Sequence, residues 1–136
     1  MCSSDLELIG GATVGWRRAC VWSSWTLLPM AAILAAKGST LAALYGLASV
    51  VAFAYHWHEQ KRWRFTDHAF AWACIAANVW LAWHCPWQTV AVAMVAIVKA
   101  LVYYAEAHRR HYDRFHTHWH VWCGIAGLLL ASGYRP

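Results

Sequence analysis

Phe115-His116-Thr117-His118-Trp119-His120 opens the last apolar segment of the chain. His116 and His120 are four residues apart, and on a helix that spacing stacks their rings on one face, one turn above the other. Two imidazoles so placed form half of a metal site, and at least one further ligand must come from elsewhere. Working outward, the chain before this stretch is a series of similar apolar segments separated by short polar connections.

The 136-residue chain is 61 % hydrophobic and 12 % charged, with mean hydropathy +0.36. A soluble domain carries about 25 % charged residues, so this composition points to lipid as the solvent. Eleven Trp residues strengthen that reading, because Trp favours the membrane interface. The formal net charge is +5, but the basic residues cluster between apolar segments. That pattern reads as membrane orientation, with no nucleic-acid partner. The five Cys (Cys2, Cys20, Cys74, Cys85, Cys123) are odd in number and include no CxxC. They read as mostly free thiols packed as small apolar side chains. The acidic N-terminus, with Asp5 and Glu7, lacks the positive region of a secretory signal.

The expected fold class is an all-α integral membrane protein. It forms a single transmembrane domain over residues 1–136, a bundle of about five helices. The spans are expected at about 19–36, 40–57, 67–84, 87–105 and 116–132, each close to the ~20 residues that cross a bilayer. Pro29 should kink the first span, and Ala42, Ala43, Gly46, Ala48, Ser49, Ala52 and Ala54 suit the second to close packing. Residues 58–66 and 106–115 read as polar loops. With five spans, one membrane side holds Arg17, Arg18, Lys61, Arg62, Arg64, Arg109, Arg110 and Arg114, and the other holds Lys37 and Arg135. This bias makes the N-terminus cytoplasmic.

Threaded this way, four groups meet at the cytoplasmic membrane depth. His56 ends the second span, Asp67 begins the third, and His116 and His120 begin the fifth. Three neutral imidazoles would leave a fourth position on Zn²⁺ open for water, as catalytic zinc sites require. Zinc lowers the pKa of that water towards ~7 and polarises a carbonyl. Asp67 is the carboxylate placed to take and return the proton, and its alternative role is to cap the third helix. His58, His108, His111 and His118 read as solvated interfacial residues, and His68 and His84 as lying off the site. Helical phase marks Ser49, Ala52, Cys74, Asn78 and Cys123 as candidate cavity-lining residues. The plainer reading of those faces is close helix packing. Lys99, inside the fourth span, is read as snorkelling to the cytoplasmic surface, the alternative being a cavity position paired with Asp67.

These residues resemble a family. Ala52-Phe53-Ala54-Tyr55-His56, then Asp67 eleven residues on, then His116-x-x-Trp119-His120, is similar to the CREST superfamily. That group includes alkaline ceramidases, progestin and adipoQ receptors, lipid-remodelling proteins of the GPI anchor, and myomaker-type proteins. Phe115-His116-x-x-Trp119-His120 followed by an apolar run with Gly124 and Gly127 is close to the ceramidase form of the last motif. The resemblance covers about residues 45–84 and 112–128. It implies a membrane-embedded zinc hydrolase acting on lipid amide or ester bonds. By match, His56, His116 and His120 would be zinc ligands and Asp67 would activate the water.

Two departures stand out. The family's Ser position is Ala52 here, and losing one hydrogen-bond donor from a catalytic site can lower the rate about 10²–10³-fold. Ser49, one turn away, and Thr66 are the candidates to compensate, and neither matches the motif. The family has seven spans and this chain is read as having five, so either the site is shallow and open to lipid or a second subunit closes it, and a homodimer is the favoured expectation. The competing readings are a non-catalytic membrane protein with a structural zinc site, and a b-type haem protein.

Overall fold

The computed structural model describes residues 12–58, 61–107, 109 and 112–136. Cys2, His108, Arg110, His111 and the side chains of Lys61 and Arg62 lie outside the described residues. The elements are α1 (Ala12–Ser23), a 3-10 helix (Ser24–Leu27), α2 (Leu28–Ala36), α3 (Leu41–His58), α4 (Lys61–Trp83), α5 (Trp87–Ala107) and α6 (Tyr112–Gly133). No strand occurs among the described residues. α1, the 3-10 helix and α2 follow one another without a loop, so the fold has five helical rods.

The break in the first rod falls before Pro29 and not at it. Pro29 occupies the first turn of α2, where a missing N–H costs nothing. It cannot donate to Trp25, so the backbone N–H of Leu28 reaches the Trp25 carbonyl instead and tightens the preceding turn.

The two polar connections, expected at residues 58–66 and 106–115, are shorter than expected. α3 runs to His58, α4 is already helical at Lys61, α5 runs to Ala107 and α6 begins at Tyr112. Lys, Arg and Gln are good helix formers, and neither stretch contains Gly or Pro to stop a helix. Two consequences follow for the site. Asp67 is the seventh residue of α4 and His116 the fifth of α6, so neither opens its helix. Capping serves only the unsatisfied N–H groups of the first turn, so the capping role for Asp67 is discarded.

Packing is dense with small residues inside and large ones outside. Ala93, Ala96, Ala100 and Ala107 are the buried residues of α5, and Gly124, Ala126, Gly127, Leu130 and Ala131 are buried on α6. A Cβ at Gly124 would stand 2.8 Å from both the Cβ and the carbonyl oxygen of Thr26. One at Gly127 would run into the Met30 sulfur. These glycines let the first rod lie directly on α6. Between α3 and α4, the Tyr45 hydroxyl donates to Asn78 Oδ1 at 2.7 Å, a polar tie inside an apolar interface. Outward, Val92, Val95, Val98 and Leu101 of α5 are all more than half exposed, and Trp83 and Trp87 more so. An exterior this apolar suits lipid better than water.

Gly15–Ala36 and Trp87–Ala107 are long and apolar enough to cross a membrane. Among the described residues that is two such helices where five spans were expected. α4 and α6 mix Trp, His and charged residues into their apolar runs, which lowers their hydropathy.

At the end of the bundle away from His116, Lys37 closes the structure. Its Nζ donates to the carbonyls of Ala131 at 2.9 Å, Ser132 at 2.9 Å and Tyr134 at 2.6 Å, and lies 6.0 Å from the centre of the Tyr134 ring. A helix C-terminus leaves carbonyls without partners and carries partial negative charge, so an ammonium group is well placed there.

Candidate metal centre

Three elements deliver the site. The last turns of α3 bring His56, the first turns of α6 bring His116 and His120, and α1 brings Cys20. One ligand atom from each of these four residues lies within 4.8 Å of the other three, so the group could hold a metal ion. His56 Nε2 is 3.1 Å from His120 Nε2, and Cys20 Sγ is 3.8 Å from His56 Nδ1. The His116 ring centre lies 5.0 Å from that of His56 and 4.7 Å from that of His120. All four are nearly buried: Cys20 is 2 % exposed, His116 6 %, His120 8 % and His56 9 %.

Local hydrogen bonds anchor the backbone that carries these side chains. Thr26 Oγ1 donates to the His120 carbonyl at 3.0 Å, tying the 3-10 helix to α6 at the site. Ser23 Oγ donates to the Cys20 carbonyl at 2.7 Å. Thr117 Oγ1 donates to the Asp113 carbonyl at 2.7 Å, and its hydroxyl also meets the Cys20 thiol. The Tyr112 ring stacks on His116 at 4.6 Å, with its hydroxyl 3.5 Å from His116 Nε2. Burial of its hydroxyl end, foremost, and nearby ionisable groups hold the Tyr112 phenol above its ordinary value, so it is a protonated donor.

The sequence reads the cysteines as mostly free thiols packed as small apolar side chains, and that reading misses the grouping of Cys20 with the histidines. Cys74 does pack in the core cluster, and Cys20, Cys74, Cys85 and Cys123 are all free thiols. The signal that singles out Cys20 is depth. It begins the first span on the side where the second ends and the fifth begins.

Asp67 is not one of the four clustered donors. It sits partly buried on α4, near enough for its charge to act on Cys20, Cys74 and Tyr112. Ala52 is buried one turn before His56 and brings no hydroxyl. The Ser49 hydroxyl donates to the Tyr45 carbonyl at 3.1 Å, within its own helix.

The other residues marked as cavity-lining sit elsewhere. Asn78 accepts the Tyr45 bond, Cys123 is half-buried on α6, and Lys99 is exposed on α5. None of Ser49, Ala52, Cys74, Asn78, Lys99 or Cys123 lines either of the two cavities near the site. Of these, Ser49, Ala52 and Cys74 are buried among the packed helices.

The remaining histidines divide as follows. His58 is exposed at the end of α3. His68 and His84 are exposed, with Nδ1 bonded to the carbonyls of Arg64 and Trp80. His118 is not simply solvated: its ring stacks on Tyr103 at 4.9 Å and lies 5.8 Å from Trp16. The rings of His56 and His120 are in edge contact, with centres 5.2 Å apart, which leaves no slot for a porphyrin between them.

A cavity of about 50 Å³ opens beside the cluster, with Cys20, Tyr55, His56, Tyr112 and Asp113 among its walls. A larger cleft of about 250 Å³ adjoins it along α1 and α3 and also reaches His56. No family model, curated protein or solved structure matches this chain.

Proposed function

We propose that this chain is a multi-span membrane protein with a zinc site at the cytoplasmic side, and that the site hydrolyses a lipid amide or ester bond. The observation that carries the metal assignment is the facing pair His56 Nε2 and His120 Nε2 at 3.1 Å, with His116 and Cys20 in the same buried group. Two nitrogens on a tetrahedral zinc with Zn–N bonds of about 2.0–2.1 Å stand roughly 3.3 Å apart. Imidazole and thiolate donors are those zinc takes most readily. His56, His116 and His120 would hold the metal, and bound zinc would supply an activated water and polarise the scissile carbonyl.

The rest of the chemistry belongs to the chain. Cys20 approaches Nδ1 of His56, on the side of the ring away from the nitrogen that faces His120. A metal-bound histidine is commonly held in one tautomer by an acceptor at its second ring nitrogen, and here the Cys20 sulfur, a weak acceptor, stands at that position. Tyr112 offers a hydroxyl donor beside His116. Asp67, in electrostatic reach of the cluster, is the group to carry the proton. In the reaction, the oxygen of water ends on the fatty acid and the acyl C–N or C–O bond breaks. The proton passes through Asp67 to the leaving amine or alkoxide. The side cavity gives water and substrate a way to His56. The resemblance of the His56, Asp67 and His116-x-x-x-His120 pattern to CREST hydrolases supports the same reading.

A second reading is favoured by one observation. Cys20 Sγ belongs to the group of atoms within 4.8 Å. If the thiolate fills the fourth position, the site is closed and ties α1, α3 and α6 together without turnover. Cobalt substitution separates the two. A strong thiolate-to-metal charge-transfer band that vanishes in Cys20→Ser identifies the closed site. Its absence, with cobalt retained by Cys20→Ser and lost from His56→Ala, identifies the open one. Turnover of ceramide and acyl-ester lipids by wild type, lost in Asp67→Asn with zinc retained, then assigns the proton carrier. Wild type without bound zinc defeats both readings.

A further inference from the structure

The larger cleft has a composition the metal site does not explain. Its walls are Arg17, Arg18, Val21 and Trp22 of α1 with His56 and Trp57 of α3. Two exposed arginines are among its six lining residues, none of which is acidic, and Arg17 also lines the adjoining cavity together with Asp113. Trp22 is 63 % exposed and Trp57 58 %. These indoles do not end as isolated patches. Phe53 stacks on Trp57 at 5.6 Å, lies 5.9 Å from Trp22 and 4.9 Å from Trp25. An aromatic strip therefore descends from the arginines along the seam between the first rod and α3.

The pattern is that of an amphipathic ligand with a negative head and an apolar tail. Arginine recognises phosphate oxygens through its planar fork of donors. Tryptophan sits where a polar head gives way to acyl chain. A cleft of about 250 Å³ is small beside the ~300–1,000 Å³ of typical ligand pockets and accommodates a headgroup with the chains lying outside it. His56 forms one wall, so a lipid seated here brings the bonds just below its headgroup to the metal cluster.

We propose that this cleft binds the phosphate-bearing headgroup of an anionic phospholipid, held by Arg17 and Arg18 with its upper chains on Trp22 and Trp57. Taken with the hydrolase reading, on which this part rests, it makes an acyl ester of that lipid the substrate class. The binding itself stands whether or not the metal site turns over.

The test uses the full chain, purified from nanodiscs containing equal phosphatidylglycerol and phosphatidylcholine, with retained lipid counted by native mass spectrometry and zinc by metal analysis. Wild type should retain phosphatidylglycerol selectively. Arg17→Gln with Arg18→Gln should cut that retention roughly 25-fold, about fivefold for each arginine at the membrane surface, with phosphatidylcholine retention and zinc content unchanged. Arg109→Gln, exposed on the same side but outside the cleft, should leave retention intact. An equal loss in Arg109→Gln would show a diffuse basic field and overturn the site, as would equal retention of the two lipids. Displacement by millimolar inorganic phosphate would assign the cleft to a soluble anion and overturn the lipid assignment. Selective retention by a protein found to hold no zinc would uphold the headgroup site while removing the hydrolase reading.

Discussion

The two ends of this helix bundle bury polar atoms in opposite ways. At the Lys37 end one ammonium group meets three carbonyls at 2.6–2.9 Å, and each partner is satisfied by the other. At the histidine end three imidazoles and a thiol face one another, all nearly buried. Four groups of that kind, gathered in an apolar setting, lose their water and gain mainly one another. Burying polar groups is unfavourable unless they are well paired. The Lys37 end is complete as a set of protein contacts, whereas the histidine end gathers donors that could hold a metal ion. One end ties the fold together, and on the proposed reading the other takes a ligand.

The contrast can be broken most forcefully from the metal side. Chelation of the zinc-loaded protein should destabilise it by about 4 kcal/mol when free zinc had stood near a thousand times its Kd. Amide exchange should rise at residues 112–120 and stay unchanged at 128–134, and a uniform rise would contradict a localised site. His120→Ala should abolish zinc binding outright and make the protein indifferent to chelator. Next in size is Lys37→Met, which removes charge-assisted bonds to the end of α6. A loss of about 2–3 kcal/mol is expected, seen in denaturation, with zinc content the same as wild type. Loss of zinc in that variant would mean the two ends are not separable. The smallest effect belongs to Gly124→Ala, whose new methyl would meet Thr26 at 2.8 Å. An overpacking penalty of about 1–3 kcal/mol is expected. Because Thr26 also bonds the His120 carbonyl, zinc affinity should fall with it. Unaltered affinity would show that the site does not depend on that seam.

Much of the histidine end was legible in the sequence because the order of apolar segments is a global feature. Counting five such segments puts His56, His116 and His120 at one end of the helices however soft the boundaries are, and the structure brings the three together. Cys20 was only half legible: its place at the start of the first apolar segment gives its depth, but its rotation about the helix axis, which decides between packing and the site, carries no mark in the sequence. The positions of Asp67 and His116 within their helices also escaped. Polar stretches of Lys, Arg and Gln read as loops by hydropathy, yet they extend helices by propensity. The helical character was plain from composition and periodicity. The Lys37 end was invisible, since its bonds run to backbone carbonyls that carry no mark in the sequence.

The 3-10 helix has a consequence for how the first rod can serve both ends of α6. Along a uniform α-helix, ten residues turn about 1,000°, which would leave Cys20 and Met30 about 80° apart around the axis. A 3-10 turn advances about 120° per residue rather than about 100°, so four such residues add roughly 80°. The two offsets cancel. Cys20 reaches the histidines while Met30 seats against Gly127, both on the same side of the rod. Pro29, by denying Trp25 its usual donor, thus acts as a rotational setting for the thiol nine residues upstream. Replacing it with alanine and letting the turn relax would swing Cys20 out of register while leaving every histidine in place.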